Sequence, residues 1–205
     1  MTNVKRFFVG FVGALLSSTA LAAPPGSIEG KLENLGSGPF VVYIDRVPGF
    51  SPSPSAPTPV MGQAGNTYIP HLLPIVAGSK VEFQSKDPEL HNVFARDLKS
   101  NQTFFNIAMR PKGPPIYQTF SQEGVVRLTC NIHKEMLAFI VVLQNPYFAV
   151  VEKGAQQFRL EGAPPGKHTL RVWGERLSEA EIARRFPVEV KAGETVTVNV
   201  QGGQS

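Results

Sequence analysis

Residues 129–143 read TCNIHKEMLAFIVVL, and their two halves make different demands on a fold. The first half spaces Cys130, His133 and Met136 three apart, putting a thiolate, an imidazole and a thioether on one short loop. The second half ends in FIVVL, an unbroken apolar run of strand length, as expected of a strand covered on both faces. Just upstream, VVRLTC alternates. Val126, Leu128 and Cys130 share one face, and Arg127 and Thr129 share the other. Two strands joined by a loop of soft metal ligands is the reading from which the rest follows.

The period of two recurs along the chain. In SKVEFQS, Val81 and Phe83 alternate with Lys80, Glu82 and Gln84, and in TVTVNV, Val196, Val198 and Val200 line up. FVVYI (40–44) is a second continuous apolar run. Glycines and prolines cluster between these runs rather than within them, and PGFSPSPSAPTP (48–59) reads as a polyproline-like surface loop. Many short strands with such turns predict an all-β chain, a Greek-key β-sandwich or barrel. The exception is LSEAEIARRFP, where Ser178 and Glu181 form a capping-box pair and Pro187 closes the segment, so a short helix is expected over about 179–185.

The chain has 205 residues, enough for one large domain or two small ones. Its first 22 residues carry Lys5 and Arg6, an apolar run from Phe7 to Leu16 and the motif Ala20-Leu21-Ala22, the pattern of a cleaved export signal. That run is short for a membrane span of roughly 20 residues, so no stable anchor is expected after cleavage. Loss of Lys5 and Arg6 would remove two positive charges from a formal +4. With no basic run interleaved with aromatics, no nucleic-acid partner is expected. The expected location is outside the cytoplasm, in a periplasm. A seam at LQNPYFAVVEKGAQQF separates a first domain (23–147) from a tail of turn-punctuated strands (148–205). A 58-residue tail is marginal by itself, and is expected to dock on the first domain through Tyr147, Phe148 or Trp173.

A single cysteine in an exported protein cannot close an internal disulfide, so it must be buried, shared with another chain or chemically occupied. The Cys130-His133-Met136 loop needs another strong ligand from His71, His91 or His168. His91, in DPELHNVFA, enters an apolar strand from a polar turn and is the best placed of the three. His168 reads as a histidine at the edge of a core, and His71, beside Pro70, as structural or exposed. Two imidazoles, a thiolate and a weak thioether make a blue-copper electron-transfer set. Zinc rarely takes methionine.

LHNVF followed some forty positions later by GVVRLTCNIHKEM resembles the cupredoxin family, and the short ligand loop is similar to that of amicyanins. The resemblance spans about residues 60–145. It implies one type 1 copper with His91, Cys130, His133 and Met136 as ligands. It also implies a backbone N–H of Asn92 reaching the Cys130 sulfur. Ile132 stands where the family usually has proline, so its N–H could add a bond to that sulfur and raise the potential; Asn131 replaces a small hydroxyl residue. FRLEGAPPGKHTLRVW in the tail resembles transthyretin-like or carboxypeptidase-regulatory sandwich modules, and the whole chain resembles exported methylamine-utilisation-like proteins. A cupredoxin sandwich followed by a smaller second sandwich is therefore expected. The function implied is a one-electron carrier, not an enzyme, serving an unidentified redox partner. An apolar rim from Pro70, Leu72, Ile107 and Ala138 around His133 would meet that partner, with Lys134 favouring acidic ones. Copper delivery, or an envelope interaction module with a vestigial copper site, are the alternatives.

Overall fold

The computed structural model describes residues 23–203, so the expected export signal lies outside the described residues. Strands numbered along the chain form four sheets. Sheet I orders β13 (Gln157–Ala163), β1 (Gly26–Glu33) and β16 (Thr195–Gln201). Sheet II orders β12 (Phe148–Val151), β2 (Phe40–Ile44), β14 (Gly166–Trp173) and β15 (Phe186–Val190). Sheet III runs β5 (Leu72–Val76), β11 (Leu137–Leu143), β10 (Gly124–Thr129), β7 (His91–Asp97) and β8 (Thr103–Met109). Sheet IV runs β4 (Thr67–Ile69), β3 (Val60–Ala64), β6 (Ser79–Ser85) and β9 (Ile116–Phe120). The chain is all-β apart from one short helix, as its period-two pattern requires.

The sheets stack in the order I, II, III, IV, because three apolar clusters join them pairwise. Ile28, Leu160 and Val200 of sheet I meet Phe40, Val42, Ile44 and Leu170 of sheet II. Val93, Leu128 and Ile140 of sheet III meet Met61, Val81 and Phe83 of sheet IV. Between the two sandwiches, Val41, Tyr43 and Trp173 of sheet II pack on Leu72, Phe139, Val141 and Leu143 of sheet III. The two unbroken apolar runs are explained at once. Strand β2 sends Val42 into one core and Val41 into the seam, and β11 does the same with Ile140 and Val141.

The domain boundary expected at 147/148 is corrected by the strand pairing. β1 lies between β13 and β16, and β2 lies between β12 and β14. Residues 26–44 therefore supply the middle strand of sheet I and an inner strand of sheet II, and without them β13 would part from β16 and β12 from the β14–β15 pair. β1 and β16 run parallel, a pairing between opposite ends of the chain that no local pattern announces. At its middle Gly30 sits against Val198, where an added Cβ would fall 1.7 Å from the Val198 carbonyl oxygen. Only glycine fits there.

The seam is stitched by two buried amides. Asn145 Nδ2 donates to the Ile44 carbonyl at 3.0 Å, and its Oδ1 accepts from the Tyr147 N–H at 3.1 Å. Gln144 Nε2 donates to the Phe50 carbonyl at 3.1 Å, while Oε1 accepts from the Val47 N–H at 3.2 Å. Of the expected docking aromatics, Trp173 is buried against Phe139, and Phe148 packs at the margin of the same cluster. Tyr147 instead packs on the core of the second sandwich.

Helix α1 (Glu179–Ile182) has the expected capping box on Ser178 but ends three residues early. Phe186 precedes Pro187, which forces it toward extended backbone, and β15 begins there as an edge strand. Among the described residues no helix is long and apolar enough to cross a membrane.

Candidate metal centre

Neighbouring strands bring the sequence-distant groups together. Thr129 of β10 pairs with Phe94 of β7, so Cys130, the next residue, comes level with the strand that His91 opens. The loop then turns, closed by a hydrogen bond from the Met136 N–H to the His133 carbonyl, and re-enters the core as β11. His91 and Met136 are fully buried and Cys130 nearly so. The His133 side chain is 20% exposed, which makes it the edge of the group that faces solvent.

Donor atoms of His91, Cys130 and His133 lie within 4.8 Å of one another. The two imidazoles meet through Nδ1 atoms 3.0 Å apart. Their other nitrogens both face carboxylates: His91 Nε2 lies 2.9 Å from Asp87 Oδ2, and His133 Nε2 lies 3.5 Å from Glu89 Oε2. An ionised carboxylate accepts but cannot donate, so a ring proton held at Nε2 would face it and leave the Nδ1 lone pair free for a metal. A spacing of 3.0 Å is also what two nitrogens sharing one ion at ~2.0 Å would show. The Cys130 thiol donates to Asn92 Oδ1 at 3.3 Å, and that proton is the one a metal would displace. With a thiol able to give up its proton, two imidazoles, and the Met136 thioether buried in the same core cluster as Cys130, the donor set fits one copper ion.

Asn92 does tie the strands together, but through its carboxamide. Oδ1 accepts from the Asn131 N–H at 2.7 Å and from Cys130, and Nδ2 donates to Asn106 Oδ1 at 2.7 Å. This corrects the expectation of a backbone N–H on the sulfur. Ile132 is 50% exposed, and no bond from its N–H to Cys130 is formed among the described residues. The loop's outward turn aims the Ile132 side chain at solvent. The expected rim changes as well. Leu72 is buried in the seam and Ala138 in the core, and Ile107 is half-buried; Pro70 alone of the four is exposed. Exposed apolar groups near this end are instead Ile69, at the end of β4, with Leu90 and Ile132 on loops, and Lys134 is also exposed.

The remaining histidines lie elsewhere. His71 Nε2 meets Glu175 Oε2 at 2.9 Å across the seam, and His168 Nε2 meets the Pro164 carbonyl at 2.7 Å in the second sandwich.

Asp87 is the supporting residue that the sequence reading missed, although its position four before His91 in DPELH was a legible signal. Burial pushes its carboxyl up. The N–H groups of Gly65 and Asn66 and the His91 ring outweigh that and hold it below the usual carboxylate range. It is therefore ionised and ready to accept from His91. Tyr68 was missed too. Its hydroxyl donates to the carbonyls of Asn92 at 2.9 Å and Thr129 at 3.1 Å, each adjacent to a ligand residue. Burial pushes this phenol well above its ordinary value, so it stays a donor at every physiological pH.

No protein-family model matches the chain, and no curated protein does. Several solved structures are similar to part of it. One is a purple cupredoxin from Nitrosopumilus maritimus, 22% identical, covering 40% of this chain and 95% of its own at a TM-score of 0.35. Another is an amicyanin mutant in its reduced state, 21% identical, covering 49% of this chain and 97% of its own at 0.38. A third is a copper-containing nitrite reductase from Thermus scotoductus SA-01, 23% identical, covering 50% of this chain but 25% of its own at 0.39.

Proposed function

We propose that this chain is an exported one-electron carrier with a single type 1 copper held by His91, Cys130, His133 and Met136. The observation that carries the reading is the pair of Nδ1 atoms 3.0 Å apart beside a buried thiol, each imidazole backed by a carboxylate. Bound copper would supply the one-electron couple. Everything else is the work of the chain. Asp87 holds the His91 ring in one tautomer and one orientation, and the Asn92 carboxamide locks the start of the ligand loop to β7. Because three of the four side chains are buried on strand ends, the site offers both valence states nearly the same geometry, which keeps rearrangement on electron transfer small. His133, at the solvent edge, is the port through which an electron would enter or leave. The surrounding Ile69, Leu90 and Ile132 give a partner a small apolar landing area, sufficient for a transient encounter. The apolar stretch at residues 7–16 supports export.

Burial of the ligands also favours a carrier over a delivery protein, whose metal must leave readily. Copper-loaded protein cycled repeatedly between ferricyanide and ascorbate should keep its metal and its colour, and lose Cu(I) slowly to a chelator. Rapid hand-over to the chelator would contradict the carrier reading.

A further inference from the structure

Among the described residues three arginines are half-buried: Arg96, Arg127 and Arg171. Arg171 is neutralised by Asp45, 3.3 Å away, and also donates to the Ile182 carbonyl. The other two stand directly opposite one another on β7 and β10. They share the outer face of sheet III with Phe94 and Thr129, opposite the core face that carries Ala95 and Leu128. Neither has a carboxylate within ion-pair distance among the described residues, and the Nε of each is buried without a partner. Like charges directly opposite on a sheet destabilise the pair. A structure that nonetheless fixes both is organised for something negative.

Both side chains are held. The Arg96 guanidinium lies 4.6 Å from the centre of the Phe94 ring, a cation–π contact that fixes its plane. Arg127 Nη2 donates to Asn101 Oδ1 at 3.1 Å, which anchors one end of the fork and leaves the rest free. On the other side Arg127 pairs in register with Phe139, which carries Trp173 of the second sandwich. Both side chains are half-buried beside the part of sheet III that Trp173 covers through Phe139.

We propose that Arg96 and Arg127 bind one oxyanion group, a phosphate or a carboxylate, on this face. Two planar forks on adjacent strands match the paired oxygens of such a group, and the anion removes the repulsion between them. The site is separate from the metal ligands, and its occupancy does not require copper.

The test uses the full mature chain, with inorganic phosphate and succinate as probes and sodium chloride at matched ionic strength as control. One of the two probes should raise the thermal midpoint of the wild-type protein above the chloride control, and the larger rise names the oxyanion class. Calorimetric titration should give one site, weakened at least ~10-fold by R96Q or R127Q. Arg127→Lys should not restore it, because a point charge lacks the fork. The R96Q/R127Q double variant should be no less stable than wild type in chloride and should show no response to either probe, with an unchanged visible spectrum when copper is added. The proposal is overturned if neither probe raises the wild-type midpoint, or if the double variant responds as strongly as wild type.

Discussion

The two sandwiches are built from the same kinds of strand, yet they bury different things. Around sheets III and IV the interior holds Gln63, Ser79, Ser85, Asp87, His91 and Asn92, and most of these gather at the end where Cys130 and Met136 lie. In the second sandwich the buried polar side chain among the described residues is His168, whose Nε2 meets the Pro164 carbonyl while its Nδ1 has no partner. Burying a polar group costs free energy unless it finds a partner. One half thus accepts that cost in a cluster and the other avoids it, and the difference separates a site from its support. The apolar second sandwich covers the outer face of β11, the strand that follows the ligand loop, and so holds one side of that loop rigid.

This contrast can be broken by mutation. The largest effect is expected at Gly30: a side chain there must displace the Val198 backbone, so Gly30→Val should abolish folding of the second sandwich, read as loss of the cooperative thermal transition. Leu170→Ala, a fully buried residue of the same core, should cost ~2–5 kcal/mol in denaturant unfolding. The spectrum of its copper complex should not change. A shifted absorption band in that variant would erase the distinction between site and support.

The seam is next. Asn145→Ala leaves the Ile44 carbonyl and the Tyr147 N–H without their partner, at a cost of ~1–3 kcal/mol. At the site, Asp87→Asn replaces an acceptor held by His91 and should weaken metal binding ~10–100-fold, measured by competition with a chelator, while the apo-protein remains folded.

The smallest effect concerns pH. The N–H and hydroxyl of Ser100 hold the Asp97 carboxyl below the usual carboxylate range. A depressed folded-state value gives stability that is present above the unfolded value of ~3.9 and is lost as pH falls through the folded one. Asp97→Asn should therefore flatten the acid limb of a stability–pH curve below about pH 4, with little change in its shape near neutrality. An unchanged acid limb would remove Asp97 from the account.

Much of this was legible in the sequence, for identifiable reasons. The alternation in VVRLTC and SKVEFQS gave their strands, and the apolar runs FVVYI and FIVVL gave two strands covered on both sides. Cys130, His133 and Met136 were readable because one loop carries them all. His91 was readable because a polar turn enters an apolar strand there. What escaped depends on long-range pairing. Nothing local to residues 26–44 says that they complete sheets made by the tail, since β1 pairs with β16 across most of the chain. The same blindness misplaced the rim: Leu72 and Ala138 look like surface neighbours of the loop until β5 and β11 pair and bury them. Asn92 was assigned its task correctly but the wrong atoms, because a side chain's reach depends on the twist between two strands.

The central claim is that His91, Cys130 and His133 bind one copper together, with sulfur as a true ligand. Adding one equivalent of Cu(II) to the purified mature protein and to Cys130→Ala, and recording visible and EPR spectra, tests it most directly. Wild type should give an intense blue band with narrow copper hyperfine splitting, and the variant neither. A weak band with wide splitting in wild type, or the same spectrum in both proteins, would contradict it.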